Sequence, residues 1–514
     1  MEAIASFFRF DERRTTFGTE VRAGLTTFMV MAYIIFVNPT ILAGGPLAPV
    51  DQGGTGLGPP FLAVAVGTAL AAGILTIAMG LATNYPFALA AGLGLNAVVA
   101  FELILGRGLA WQDAMAVIVW EGIIITVLVL TGLREAVMNA IPLNLKRAIA
   151  VGIGLFILFI GLFNGGFVVD TLFAEPGQGP PVLPGNIVNV ATLTFVIGLG
   201  IALALMARRV RGALLLTIIL TTIVAIVLNY IVGPANSGFL PNTAVLPTTL
   251  EGYFFNFSLT NFETIFQPLL PEHLFGVWTN YSVLIIAMVV FTLMMADFFD
   301  TMGTVIGVGE QAGFVDERGR LPGIRNVLLV DSLGAVTGGA FGVSSNTTYI
   351  ESAAGVAEGG RTGLTSVVVG VLFLVAILFA PIAGIVPAQA TAPVLVVVGF
   401  LMFTIAREFD WGEEPARAAG PAAGEEHAQR VPEPDTVTES RIDVVLPVLA
   451  TLIVMPLTFT ITTGIAAGFV TYIFLKLVTG RAREVHPLMW VVGIAFVIFF
   501  AVPWIEQLIA PPAE

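Results

Sequence analysis

Asp297 and Asp300 sit inside the apolar run from Tyr281 to Gly309, YSVLIIAMVVFTLMMADFFDTMGTVIGVG, and Glu351 follows Asp300 by fifty-one positions in a broken apolar stretch. A carboxylate at bilayer depth costs several kcal/mol even on insertion scales, so such residues face a polar cavity and mark a pathway. The i, i+3 spacing puts Asp297 and Asp300 on one helical face, where both can look into the same cavity. A tie between neighbouring helices would account for one such acid but is a poor account of three.

The rest of the chain agrees with a membrane setting. Of 514 residues, 57% are hydrophobic and only 11% charged, against roughly 25% charged in soluble domains. The N-terminus lacks the charged, apolar and small-residue pattern of a cleaved signal, so the first span is read as retained. Zero cysteines exclude disulfides, thiolate ligands and cysteine nucleophiles. His273, His427 and His486 fall outside the long apolar runs, so no metal site and no cofactor is expected. The net charge of −13, carried mostly in loops, argues against nucleic acid as a partner.

Apolar runs and turn signals predict spans at about 21–43, 61–80, 86–104, 112–132, 145–163, 189–206, 212–232, 281–305, 325–341, 347–359, 363–383, 390–406, 442–460 and 461–478. A further apolar stretch, 488–508, either spans or lies at the interface. With the N-terminus cytoplasmic, alternation puts Arg134, Lys146, Arg147, the 207–212 turn, Arg318, Arg320, Arg325, Arg361, Lys476, Arg481 and Arg483 on the same side. The loops 44–60, 164–188 and 233–280 hold no Lys or Arg, and Arg107 alone breaks the bias. The positive-inside rule therefore favours this count and orientation.

Two spans make poor helices. The third, NYPFALAAGLGLNAVVAF, opens at Pro86 and carries Gly92 and Gly94, and the tenth, NTTYIESAAGVAEGG, is short and ends in glycines. Discontinuous segments at matching places of two halves point to a transporter's midplane site. Ala90-Ala91-Gly92 matches Ala353-Ala354-Gly355 at an offset of 263, and Met31-Ala32 matches Met295-Ala296 at 264. Seven spans per half requires the second repeat to be inverted.

The domain reading is 1–232 for the first repeat, 233–280 for an outer loop, 281–479 for the second repeat and 480–514 for a tail. The outer loop includes an interfacial amphipathic helix at 262–278. Residues 407–441, charged and rich in Pro and Ala, read as a disordered cytoplasmic linker.

Six segments carry a family resemblance: TTFMVMAYIIFVNP, NYPFALAAGLGLNA, FDTMGTVIGV, NTTYIESAAGVAEGGRTGLT, ATAPVLVVVGFLM and MPLTFTITTGIAAGFVTYIFLK. In order from about Gly18 to Arg483, they resemble the nucleobase–cation symporters of the nucleobase–ascorbate transporter superfamily. The narrower likeness is to the adenine/guanine/hypoxanthine (AzgA-like) permease branch. The resemblance implies an all-α polytopic fold of fourteen segments in two intertwined inverted repeats, with core and gate domains. Short strands are implied in segments three and ten, where buried backbone groups can meet a planar ligand.

It implies a purine nucleobase as substrate and a proton as co-substrate, imported across the plasma membrane. Asp300 and Glu351 take the substrate-contacting positions. Asp297 is the second acid, binding substrate or holding the proton, and Asn96 matches a polar third-span position. Asp331 supports the site without touching ligand. Phe87 and Ile350 lie at equivalent places on the two strands with their amides, and the Phe87 ring, toward ligand. Tyr33 and Asn38 are candidates to line the cavity, and Glu121 has no assigned role. One of Asp297, Asp300 and Glu351 takes a proton from outside, the group titrating as a coupled unit. Uracil or xanthine is the alternative cargo, and an anion exchanger on the same architecture is opposed by acids where a basic residue would be needed. Architecture of this kind carries the expectation of a homodimer. The preferred purine is left open.

Overall fold

The computed structural model describes residues 2–44, 47–50, 54–132, 141–170, 182–239, 243–245, 262–315, 321–409 and 434–509. Arg134, Arg318, Arg320 and the 410–433 part of the expected linker lie outside them. In chain order the main elements are α1 (Phe17–Met31), α2 (Ile34–Ala43), α3 (Phe61–Thr83), β1 (Leu89–Ala91) and α4 (Leu93–Ala97), which runs on as a π-helix over Val98–Gly106. There follow α5 (Trp111–Thr131), α6 (Leu143–Asn164), β2 (Val168–Asp170), β3 (Val182–Pro184), α7 (Val190–Ala207), α8 (Ala213–Val232) and α9 (Val283–Ala312). The remainder are α10 (Ile324–Ala340), β4 (Asn346–Thr348), α11 (Ser352–Ala357), α12 (Gly363–Ala376), α13 (Ala388–Phe403), α14 (Pro434–Leu457), α15 (Ile461–Val478) and α16 (Pro487–Ile509).

Among the described residues nine helical stretches are long and apolar enough to cross a membrane, α1 with α2 (Phe17–Ala43) and Gly363–Ile385 each counting as one. They coincide with predicted spans one, two, four to eight, eleven and fourteen. The others are shorter helices, or in segments three and ten a strand followed by a short helix, as expected there. The apolar stretch near the C-terminus forms α16, which packs on α15 through Phe469 and Phe496, ring centroids 5.7 Å apart.

The chain divides into two compact units, Met1–Gly132 with Ile157–Phe400, and Leu133–Phe156 with Leu401–Glu514. In the larger unit, backbones approach closely where side chains are absent. Gly73 and Gly80 of α3 face Gly370 and Gly363 of α12; a Cβ on Gly370 would stand 2.5 Å from the Gly73 carbonyl oxygen, and one on Gly363 would overlap the Gly80 carbonyl. Lipid supplies no hydrophobic drive between helices, so van der Waals contact of this kind holds them. Asn84 ends α3 in the left-handed region (φ 55°), a conformation that asparagine tolerates. Its side chain donates to the Phe8 carbonyl at 3.0 Å and accepts from the Gly363 amide at 2.8 Å.

Glu20 of α1 does similar work at the start of α12. Its carboxylate accepts from the Arg361 amide (2.9 Å), the Thr362 amide (3.2 Å), Thr365 Oγ1 (2.6 Å) and Thr15 Oγ1 (2.7 Å). A negative group there also suits the helix dipole. Nearby, Glu358 pairs with Arg22 at 3.4 Å and with Arg211 of the α7–α8 turn at 2.5 Å.

In the smaller unit α14 and α15 pack along Gly464 and Gly468, against Met455 and Thr451. Lys476 Nζ meets Asp443 at 2.7 Å and Glu484 at 3.0 Å, and Arg481 joins both acids. Hydrogen bonds from Arg481 and then Lys476 hold the Glu484 carboxyl down to about 2. Its contribution is complete above the ordinary carboxylate range and is lost only as pH falls toward that value.

Four expectations are corrected. The first span is two helices: the chain tightens at Ala32–Tyr33, where Ile35 N bonds Ala32 O and Phe36 N bonds Tyr33 O, and Pro39 sits inside the second helix. The 262–278 stretch is not one amphipathic helix; Pro268 and Pro271 open separate short turns, Gln267–Leu269 and Pro271–Leu274, with Gly276–Asn280 after them. These turns pack on α5, where Trp120 donates to the Leu274 carbonyl at 2.6 Å and His273 meets Asp113 at 2.7 Å. Helix α14 begins at Pro434, inside the segment expected to be unstructured. The repeat register also differs: strand follows strand at an offset of 257, Leu89 to Asn346, whereas 263 would set β1 against α11. The Ala/Gly identities behind 263 reflect small residues wanted at many helix contacts.

Gly370→Val should lower stability by about 1–3 kcal/mol through overpacking, read as the thermal midpoint of detergent-solubilised protein. An unchanged midpoint would contradict the close approach of α3 and α12.

Candidate functional site

Pro86 disfavours helix at Tyr85, because its ring crowds the preceding residue, and the chain enters β1 extended. On the other side, Gly342 and Ser344 (φ 73° and 68°) turn the chain after α10, and the β-branched pair Thr347-Thr348 settles into a strand. The two strands run antiparallel, with Leu89 opposite Thr348, Ala90 opposite Thr347 and Ala91 opposite Asn346. One further bond extends each end, Gly92 N to Ser345 O at 2.8 Å and Tyr349 N to Ala88 O at 2.9 Å. Side chains satisfy the outer edges. Thr76 bonds both the amide and the carbonyl of Leu89, Ser352 Oγ accepts from the Ala88 amide at 3.0 Å, and Ser366 Oγ donates to the Tyr85 and Phe87 carbonyls. The Tyr349 hydroxyl donates to the Ala91 carbonyl.

Around this ladder the acids fall into two groups. Asp331 of α10 is buried and accepts three bonds: the Thr348 amide at 2.9 Å, Thr348 Oγ1 at 2.8 Å and Thr301 Oγ1 at 2.7 Å. It thereby fastens β4 to α9. Asp297 on α9 is also buried, 1% exposed. Asp300 and Glu351 are only partly buried. Thr347 Oγ1 donates to Asp300 at 3.4 Å, and the Tyr33 hydroxyl donates to Glu351 at 2.7 Å. Asp300 lies within electrostatic reach of Asp331 and Glu351. The break between α1 and α2 is what sets Tyr33 against Glu351.

Asn96 on α4 is fully buried and donates to Asn38 Oδ1 at 2.6 Å; Asn38 in turn donates to Thr68 Oγ1 and to the Val343 carbonyl. Phe87 and Ile350 are not on the strands. Each lies two residues beyond the ladder, because Tyr349–Ser352 already turns into α11, with Ser352 N bonded to Tyr349 O. Phe87 is buried with its ring 5.5 Å from that of Tyr85, whereas the Ile350 side chain is 53% exposed. Among the described residues neither amide N–H has an acceptor. Sequence reasoning missed Tyr349, Ser352 and Thr76 as backbone anchors. A Tyr beside two Thr reads only as a strand former, and lone hydroxyls in apolar helices give no positional signal.

The sequence profile of the permease family (Xan_ur_permease) matches residues 18–418. The chain belongs to the permease family. It is 36% identical to the guanine/hypoxanthine permease PbuG of Bacillus subtilis (strain 168) over 504 residues, covering 97% of this chain and 99% of that one. It is also 36% identical to the adenine permease AdeP of Escherichia coli (strain K12) over 496 residues, 96% and 94% of the two chains. The transmembrane domain of a cyanobacterium bicarbonate transporter, BicA, superposes with a TM-score of 0.54 at 16% identity, over 88% of this chain and 96% of that one. That likeness is one of fold. This permease is a multi-pass membrane protein and not an enzyme.

Asp331→Ala should orphan the buried Thr348 amide and cost about 1–3 kcal/mol. Thr301→Val, which removes one donor from a carboxylate that keeps two others, should cost less. Thermal midpoints of the two purified permease variants test this; equal midpoints would deny Asp331 its role in fastening β4.

Proposed function

We propose that this permease imports purine nucleobases together with protons across the plasma membrane, its N-terminus on the cytoplasmic side. The observation that carries the reading is the division of the acids. Asp300 and Glu351 keep partial exposure beside the strand pair, while Asp297 and Asp331 are buried. A purine presents ring N–H donors, ring N or carbonyl acceptors and a flat apolar face. Carboxylates of Asp300 and Glu351 accept its N–H groups in charge-assisted bonds, about twice as strong as neutral ones. The free amides of Phe87 and Ile350 donate to its acceptors. Relatives named as guanine/hypoxanthine and adenine permeases, each matching nearly the whole chain, support this cargo.

Coupling follows from charge. Adding a purine does not change the net charge of a group of buried carboxylates, and moving ionised acids through hydrocarbon is costly. A proton taken up from outside by the Asp297–Asp300–Glu351 group reduces that cost. The loaded core then slides against the gate, and proton and purine leave inside.

The test is uptake of labelled adenine and hypoxanthine into proteoliposomes, with and without an inward proton gradient, with uracil and xanthine as competitors. Wild type should accumulate purine only under the gradient and ignore uracil. Glu351→Gln and Asp300→Asn should each abolish uptake. Tyr33→Phe, which removes one hydrogen bond to a charged group worth about 1.5–3 kcal/mol, should raise KM roughly tenfold or more and leave folding intact. Unchanged uptake in both acid variants would remove the site assignment, and competition by uracil would move the cargo to pyrimidines.

A further inference from the structure

Helix α11 is six residues long and carries an acid at either end, Glu351 before it and Glu358 after it. Glu351 belongs to the site above, and Glu358 has no part in it. The Glu358 side chain is 13% exposed and holds two guanidinium groups, Arg211 at 2.5 Å and Arg22 at 3.4 Å. Arg22 also donates to the Glu358 carbonyl at 3.4 Å.

The two arginines stand on different supports. Arg22 is part of α1, which is pressed against α11: a Cβ on Gly355 would overlap Thr27 Oγ1 and stand 2.9 Å from the Ala23 carbonyl oxygen. Arg211 belongs to the turn between α7 and α8. Those two helices pack chiefly on each other. Gly198 of α7 lies against α13, where an added Cβ would stand 2.9 Å from Pro393 Cγ. The turn reaches α1 more loosely, at Gly212, whose added Cβ would stand 3.2 Å from the Met29 carbonyl oxygen. The Arg211–Glu358 pair adds a charged tie from this turn to α11.

We propose that the Arg211–Glu358 pair is a latch, closed in this structure, that parts and re-forms once in each transport cycle. This inference rests on the sliding motion proposed above, with α7 and α8 in the gate and α1 and α11 in the core. The pair can open without stranding a charge. Removing the partner of a sheltered carboxylate is normally costly, because the charge is left bare. Here Arg22 travels with α11 and keeps Glu358 paired when the turn withdraws. Arg211 is 69% exposed, so water takes over its guanidinium, and exposed ion pairs add little to stability. While closed, the latch holds the finish of the helix whose start carries Glu351, and so restrains a substrate contact from moving relative to the turn.

The chain has no cysteine, so the double variant Arg211→Cys, Glu358→Cys carries the only two thiols. Reduced, and reconstituted in proteoliposomes, it should take up labelled adenine and hypoxanthine. Joined by a flexible bis-methanethiosulfonate, it should lose uptake and counterflow in proportion to the thiols consumed, and dithiothreitol should restore both. Uptake that the link leaves unchanged overturns the latch while the transport reading stands. If wild type itself transports neither purine, the transport reading falls and takes this inference with it. Should the reduced variant be inactive, spin labels on Gly18→Cys and Arg208→Cys decide, since they leave the ion pair in place. Arg208 is exposed, and a Cβ on Gly18 meets nothing within 4 Å. Two label-to-label distances whose proportions change on adding purine support the latch; a distribution that purine leaves unaltered overturns it.

Discussion

Backbone that leaves a helix inside a membrane must find every hydrogen-bond partner within the protein, since hydrocarbon offers none. The ladder between Leu89–Ala91 and Asn346–Thr348 is where this chain meets most of that demand, leaving the Phe87 and Ile350 amides beside it open. Three residue pairs are too few to hold by themselves, so hydroxyls of Thr76, Ser352 and Tyr349 and the Asp331 carboxylate add bonds to the strands and the residues beside them, and Ser366 bonds the Tyr85 and Phe87 carbonyls just before β1. Those same anchors fix where the helices after each strand begin, and therefore where Glu351 and Asn96 stand. Site and scaffold are one hydrogen-bonded construction.

The second constraint is closeness. Glycines on α3 and α12 let two backbones touch, and Gly122 does the same for α5 and α10. Beside helices packed this tightly the acids divide by exposure. Asp300 and Glu351 keep a partly open face, whereas Asp297, Asp331 and Glu121 do not. Sequence spacing could show that Asp297 and Asp300 share a helix face. It could not show that three further residues of the same helix would leave Asp300 partly exposed and Asp297 buried, because that depends on neighbours distant in sequence.

Much of the architecture was legible in the residues. Pro86 with Gly92 and Gly94, and the β-branched start of NTTYIES, marked the two broken segments, because proline and glycine act locally on the backbone. The break at Tyr33 was not legible: Pro39 was plain to see, but which turn tightens depends on the packing of α1 and α2. The two prolines at 268 and 271 were likewise visible, yet the apolar pattern around them imitated a single amphipathic helix. The internal repeat misled in a different way. Ala and Gly recur wherever helices touch, so identities among them aligned packing surfaces and not strands.

The strand pair also bears on how the protein is made. Ala91 leaves the ribosome some 255 residues before Asn346, its partner. At about 5–20 residues per second, that leaves β1 without its mate for roughly 10–50 s. Throughout that interval its peptide groups need shelter from lipid, in the insertion machinery or in a temporary helical shape. The first half of the chain is therefore not a finished module waiting for the second, and biogenesis must carry an unclosed seam until the late strand arrives.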